Sequence, residues 1–476
     1  MSHIDNYEIV IGLEIHAEIL TKTKIFCSCK NEFGANPNTN TCPVCTGMPG
    51  ALPILNKRVI EQGIKTGLVF GSKISNYTVF ERKNFFYPDL SKSYQISQLV
   101  YPLNIGGGVE LDNGKFIRFN RIHIEEDAGK LLHLGKNEGT LIDYNRSGVP
   151  LIEMVTEPDF SSADEVVEFL RKIREVLIFE DIANCRMEQG GLRCDVNLSL
   201  RKKGETKLGI RTEIKNLNSF KSVQRAIEFE ANRQAEILSS KKIVVQETRK
   251  WDDDLGKSLS MRTKESMQDY RYFSDPDMLA VKISESDIEK IKSELVETPV
   301  IRRKKYIEEF GIPKYDAELL TSSKYISDYF EKCVTIFNSP KKIGNWIMVD
   351  LFKIVKDKNQ EEVIFPVSEE YFTEIIKMVE NKKINKTVGL ELLSKVIETN
   401  ERPETLAKQM NLFVTISDEE IIENLEKLKT ENPKVLNDYK KNPEKVIGYI
   451  TGYVMKKTNG KANSLKIKEL IPKIFN

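Results

Sequence analysis

Histidine is scarce in this chain, with four in 476 residues, so His-based nucleophilic catalysis has few candidates. No Gly-x-x-x-x-Gly-Lys-Ser/Thr occurs. Gly256-Lys257-Ser258 lacks the upstream glycine and Gly114-Lys115 runs into Phe116, which excludes a P-loop. No Gly-x-Gly-x-x-Gly opens a βαβ unit, and Gly106-Gly107-Gly108 reads as a hairpin between strands. No apolar run is long enough to span a bilayer, and the first residues lack a signal peptide's basic start and apolar core. Net charge is nearly absent too: 72 basic against 71 acidic residues leave +1. Any nucleic-acid contact must therefore come from a local patch. The expectation is a cytoplasmic, multidomain protein with no membrane association.

Seven cysteines are present, an odd number with four bunched together, which suits a metal site in a reduced compartment better than a disulfide framework. Cys27-x-Cys29 and Cys42-Pro-Val-Cys45 offer four thiolates in two close pairs. Tetrahedral Zn²⁺ takes such a set, and with every position filled by protein the zinc would be structural. Cys185, Cys194 and Cys333 stand alone and read as core.

The length predicts two to four domains. Residues 1–295 alternate strands, turns and a few helices, with the cysteine knuckle (27–45) as an insertion. Residues 296–402 and 403–476 read as two helical blocks, so the fold class is α+β followed by all-α parts. Three segments alternate with period two, the mark of strands with one buried face. They are Tyr7 to Leu20, Leu192 to Arg201 and Leu208 to Lys215. One-face burial favours an antiparallel sheet with a polar face. Helices are expected to start at Ser162, and at Asn218 or Ser219 running to about Ser239. Residues 121–157 set His123, Glu125, Glu126, Asp127, Asp143, Glu153 and Glu157 among apolar strand residues. Buried carboxylates are costly unless a cation or hydrogen bonds neutralise them. Oxygen ligands with an occasional imidazole suit Mg²⁺ and the phosphates it carries.

Several stretches together resemble the GatB/GatE family of tRNA-dependent amidotransferase proteins, of the GatB type. They include Val10-Ile-Gly-Leu-Glu-Ile-His-Ala-Glu18, the cysteine cluster running into Gly47-Met-Pro-Gly-Ala-Leu-Pro53, and Lys83-Asn-Phe-Phe-Tyr-Pro-Asp-Leu90 with Tyr94-Gln-Ile-Ser-Gln98. Further on come His123 to Lys130, Asp143 to Asp159, Arg193-Cys-Asp-Val-Asn197, Thr212 to Phe220, Gln246-Glu-Thr-Arg249 and Asp269-Tyr-Arg-Tyr-Phe273. The resemblance covers the chain almost end to end. It implies a cradle-shaped catalytic domain distantly similar to glutamine synthetase, then a helical domain and a small tail domain similar to YqeY. It also implies ATP-dependent transamidation of Glu-tRNA(Gln) and/or Asp-tRNA(Asn). A partner amidase would supply ammonia from glutamine, and a small third protein holding the two together would complete a heterotrimer.

On that resemblance Mg²⁺ ligands are expected among Glu14, His16, Glu125, Glu153 and Glu157, with Glu213 as an outside candidate. Lys83, Arg193, Arg211 and Lys215 are expected at phosphate. Tyr87, Ser91, Tyr94 and Asn216 are expected to line the nucleotide or acceptor pocket. Lys456, Lys457 and Lys461 form a small basic patch fit for tRNA phosphates. One departure stands out: Ser91-Lys-Ser-Tyr-Gln95 replaces the family's usual Pro-Lys-Gly-Tyr-Gln. The loss of both Pro and Gly predicts a turn with φ/ψ angles that ordinary residues adopt.

Overall fold

The computed structural model describes residues 3–134, 139–263, 270–356, 363–413, 417–458, 462 and 464–475. The chain divides into two compact units, Met1–Thr298 and Pro299–Asn476.

The first unit is organised by one large sheet. Its strands in chain order begin with β1 (Tyr7–Glu18) and β2 (Lys73–Ile74), followed by the small strands β3 (Tyr77–Thr78), β4 (Glu81–Asn84) and β5 (Tyr94–Ser97). Next come β6 (Asn104–Ile105), β7 (Gly108–Glu110), β8 (Phe116–Glu126), the hairpin β9 (Lys130–His133) and β10 (Thr140–Asp143), and β11 (Pro150–Thr156). β12 (Leu192–Lys202), β13 (Thr212–Lys215), β14 (Glu247–Asp252) and β15 (Lys257–Thr263) complete the sheet, with β16 (Phe273–Ser274) and β17 (Val281–Lys282) pairing elsewhere. The sheet order is β15-β14-β13-β12-β1-β11-β8-β6-β2, with β7 also on β8.

β1 shows why the chain folds this way. Ile11, Leu13, Ile15 and Ala17 are buried on one face, while Glu14, His16 and Glu18 alternate onto the other. Each fully buried aliphatic side chain stabilises the fold by about 1.5–3 kcal/mol relative to exposure. Helices α1 (Lys57–Val69), α2 (Ala163–Phe179) and α3 (Phe220–Ser239) close this core with Val59, Ile64, Phe169, Leu170, Val223 and Ile227. Ser162 caps α2 by accepting from the Glu165 amide, and Ser219 caps α3 by accepting from the Ser222 amide. Both starts are the expected ones.

Four expectations are corrected. The sheet is mixed, because β13 and β14 run parallel. α3 lies between them in sequence, and a helical crossover returns the chain in the same direction. β13 also begins at Thr212, four residues later than Leu208; Leu208 and Ile210 are exposed, so their alternation marks no buried face. Gly106 and Gly107, both at positive φ, do not close a hairpin. β6 and β7 pair with the same strand β8 in continuous register (Ile105 with Arg121, Gly108 with Arg118), so the glycines kink one run of chain along β8. Lastly, Ser93 takes φ 63°, in the left-handed region. The turn thus asks of a serine a conformation that suits glycine.

That position gives a direct expectation. A left-handed residue with a Cβ costs about 1–2 kcal/mol, part of which glycine returns through its freer unfolded chain. Ser93→Gly is expected to stabilise the first unit by about 0.5–1 kcal/mol, read as a higher midpoint in urea. An unchanged or lower midpoint would refute the strain assignment.

Parity along β8 changes once. Thr156 pairs with Phe119 but Val155 with Arg121, so a bulge falls at Asn120–Arg121. Before it Ile117 and Phe119 face the core; after it Ile122 and Ile124 do. His123 and Glu125 thereby join the polar face.

In the second unit the described secondary-structure elements are all helices. The buried side chains form two separate clusters, one from Tyr306 to Leu412 and one from Ile421 to Phe475. The helix Pro403–Gln409 contributes Leu406 and Ala407 to the first of these.

Candidate cation and phosphate site

The polar face of the large sheet gathers two groups of ligand atoms around β1. Cross-strand register places His16 opposite Glu153, and Glu153 opposite His123. His16 Nε2 lies 3.5 Å from Glu125 Oε1 and 3.5 Å from Glu153 Oε2. His123 Nε2 lies 3.3 Å from Glu153 on its far side. Two residues back along β1, Glu14 meets Asp195 of β12 and Glu213 of β13. Ligand atoms within each group all lie within 4.8 Å of one another.

The electrostatics of the first group are set by burial. Burial pushes Glu125 up, and the neighbouring Glu153 adds to the shift. Glu153 is equally buried, yet His123 and His16 outweigh that and hold it well below the usual carboxylate range. Burial works against the charge of His16, but Glu153 and Glu125 raise it above the ordinary imidazole value. Lys83 of β4 faces the same group: burial opposes its charge, and Glu125 heads the groups that keep it protonated. Tyr272 is pushed up to about 12, by burial first and then by Glu125 and Glu153 against Lys83.

The second group is bordered by Lys215, whose Nζ is 2.5 Å from Asp195 and 3.6 Å from Glu213. Asn197 donates to Glu14 at 3.1 Å, and Thr248 donates to Glu213 at 2.7 Å. A cavity of about 510 Å³ opens beside it, lined by Glu14, Asn197, Thr156, Arg211 and Gln246. Asp195 is the member that sequence reasoning passed over. Its position on the polar side of an alternating strand was visible, but its pairing with Glu14 is a matter of register.

Other expected residues stand elsewhere. Glu157 lies past the end of β11, accepts from Asn120 at 2.8 Å, and belongs to neither group. Arg193 donates to Asp127 at 2.9 Å, and its Nε is buried without a hydrogen-bond partner among the described residues. Glu18, beside Asp127, is raised to about 7, mostly by burial. Ser91 donates to the Cys45 carbonyl at 2.8 Å, and Asn216 donates to the Trp251 carbonyl at 2.9 Å, so both brace loops. Tyr94 stacks under Arg82 at 4.2 Å, and Tyr87 packs edge-on against Phe85. Lys456 and Lys457 are exposed in the last turn of the helix Pro443–Lys457; Lys461 lies outside the described residues.

Glu126 and Asp127, next to Glu125 in sequence, serve structure. Lys92 grips both oxygens of Glu126 at 2.5 and 2.6 Å, and Asp127 pairs with Arg193 and Arg146.

The four knuckle cysteines converge as the spacing predicts, with Cys42 and Cys45 sulfurs 3.9 Å apart. The hydrogen bond between Cys27 and Cys45 holds Cys45 low, as the thiolate of the pair, and Cys27 high. Four convergent sulfurs without a carboxylate among them fit zinc.

An all-oxygen group beside an imidazole–carboxylate group, with lysines next to each, is a class of site that suits divalent cations and the phosphates they carry. Comparison with known proteins narrows that class. The GatB/GatE catalytic domain profile matches residues 9–289, and a GatB domain profile of the YqeY type matches residues 328–475. The B subunit of the aspartyl/glutamyl-tRNA(Asn/Gln) amidotransferase of Caldicellulosiruptor bescii is 49% identical over 471 residues, 98% of each chain. Its counterpart in Thermoanaerobacter pseudethanolicus is 45% identical over 96% of this chain and 97% of its own. The one from Clostridium novyi is 43% identical over 99% and 100%. The chain belongs to the GatB/GatE family.

Proposed function

We propose that this protein activates the side-chain carboxylate of Glu or Asp misattached to tRNA and amidates it. The observation that carries the reading is the pair of carboxylate groups on one face of β1, each with a lysine beside it. The γ-phosphoryl group of ATP passes to a carboxylate oxygen, the new O–P bond replacing the bond to ADP. Ammonia then attacks the acyl carbon, phosphate leaves with the C–O bond, and the nitrogen gives up a proton. His16, Glu125 and Glu153, and likewise Glu14, Asp195 and Glu213, would hold Mg²⁺, which would supply charge neutralisation for the phosphates. Lys83 and Lys215 add fixed positive charge next to those ligands. Arg211, which lines the cavity beside Glu14, would donate to phosphate oxygens, whereas Arg193 is engaged with Asp127.

Ammonia would come from glutamine through the partner amidase, with the small third protein completing the heterotrimer. Lys456 and Lys457 would contact tRNA phosphates without reading sequence. The test is reconstitution with both partners, Mg²⁺, ATP and glutamine. Glu-tRNA(Gln) or Asp-tRNA(Asn) should be converted to the amide, and ADP should form only when charged tRNA is present. ADP formation indifferent to charged tRNA, or none at all, would overturn the reading.

A further inference from the structure

Lys24 is fully buried, although lysine almost never is unless paired. Its ammonium donates only to the Tyr144 carbonyl, at 3.3 Å, and no carboxylate of the described residues forms an ion pair with it. The nearby Glu126 is already taken by Lys92. A buried cation of this kind needs a counter-charge. The Lys24 amide donates to the Cys29 carbonyl at 2.9 Å, so its backbone belongs to the knuckle's first turn. Its side chain runs to the other cysteine pair: a methyl group built on Gly148 would lie 3.7 Å from Lys24 Cδ and 3.6 Å from Cys45 Cβ. Besides the Glu126 carboxylate, whose Oε2 would lie 4.0 Å from the same methyl group and which Lys92 already neutralises, the group that can supply negative charge is the knuckle, where Lys24 and Cys45 interact electrostatically. Zn²⁺ bound by four thiolates carries a net charge of −2.

We propose that Lys24 is a positioning residue for the knuckle metal: its buried ammonium balances half the charge of a tetrathiolate zinc centre. The Tyr144 carbonyl holds the ammonium in place, and the absence of a carboxylate partner leaves its charge available to the sulfurs. Outer-shell partners of this kind are typically worth about 10–100-fold in metal affinity.

The test is zinc affinity of the full chain, by competition with a chromophoric chelator. Lys24→Met, close in length but neutral, should weaken binding by about 10–100-fold. The decisive comparison uses Cys29→His, which replaces one thiolate by a neutral ligand and leaves the centre at −1. There the further loss caused by Lys24→Met should be at least about threefold smaller, as expected when less charge needs balancing. An unchanged affinity in Lys24→Met, or equal losses in both backgrounds, would overturn the proposal in favour of packing alone. Should Lys24→Met not fold, recovery of metal-loaded protein in the Cys29→His background supports the proposal, and failure in both backgrounds overturns it.

Discussion

Glu125→Gln is expected to lower ATP-dependent amidation of charged tRNA by at least about 100-fold, the loss typical of removing one preorganised charge from a reaction site. The amide keeps the shape of the side chain and the reach to Ser97, which stands 3.3 Å away. What disappears is the charge next to His16. The Mg²⁺ concentration for half-maximal rate should rise with it. Stability should move the other way or not at all, because burial and Glu153 already penalise the Glu125 carboxylate. A thermal midpoint equal to or above wild type, together with the lost rate, separates a ligand from a structural acid. Glu126→Gln provides the contrast: it leaves the half-buried Lys92 without its carboxylate, a change that costs up to about 3–5 kcal/mol. Full amidation by Glu125→Gln would remove Glu125 from the metal site.

The second large effect concerns the knuckle. Replacing Cys42 and Cys45 together by Ser should abolish zinc content and lower the unfolding midpoint of the first unit by roughly 5–8 °C. The figure follows from about 3–5 kcal/mol of lost metal stabilisation, the cost of losing a structural cross-link, at about 1.6 °C per kcal/mol for a unit of this size. The effect should spread beyond the knuckle. The Cys45 carbonyl accepts from Ser91 at 2.8 Å and Ser147 at 2.9 Å, tying down the loops that lead into β5 and β11. Hydrogen exchange should therefore speed up across residues 88–97 and 144–153 as well as 27–48. Unchanged exchange outside the knuckle would show that the cysteines stabilise themselves alone.

How much of the site the sequence disclosed depended on geometry within single strands. Glu14 and His16 were legible because period-two alternation in Tyr7–Glu18 puts them on one face. Glu125 and Glu153 stood out as acids in buried strand, but so did Glu126, and only the Lys92 contact tells them apart. Asp195 stayed hidden because register between distant strands is not written locally. The bulge at Asn120–Arg121 exchanges the faces of β8, which alternation counted from one end cannot reveal. Ser93 misled for another reason. Composition reports which conformation is comfortable, whereas the surrounding loop decides which is imposed. Lys24 drew no attention, since a lysine among polar residues reads as solvated until its burial is known.

The place of β1 in the sheet also sets an order of events during synthesis. The strand is made first, yet its two partners are Pro150–Thr156 and Leu192–Lys202. At about 5–20 residues per second, roughly 7–40 s pass between the emergence of Ile11, Leu13 and Ile15 and that of the strands that flank them. A nascent chain must keep an apolar, β-prone segment out of wrong pairings throughout that interval. Glu14, His16 and Glu18, which alternate with those aliphatic residues, break the run in the meantime. The same polar side chains that alternate along the site face of β1 thus guard the strand while the ribosome is still at work.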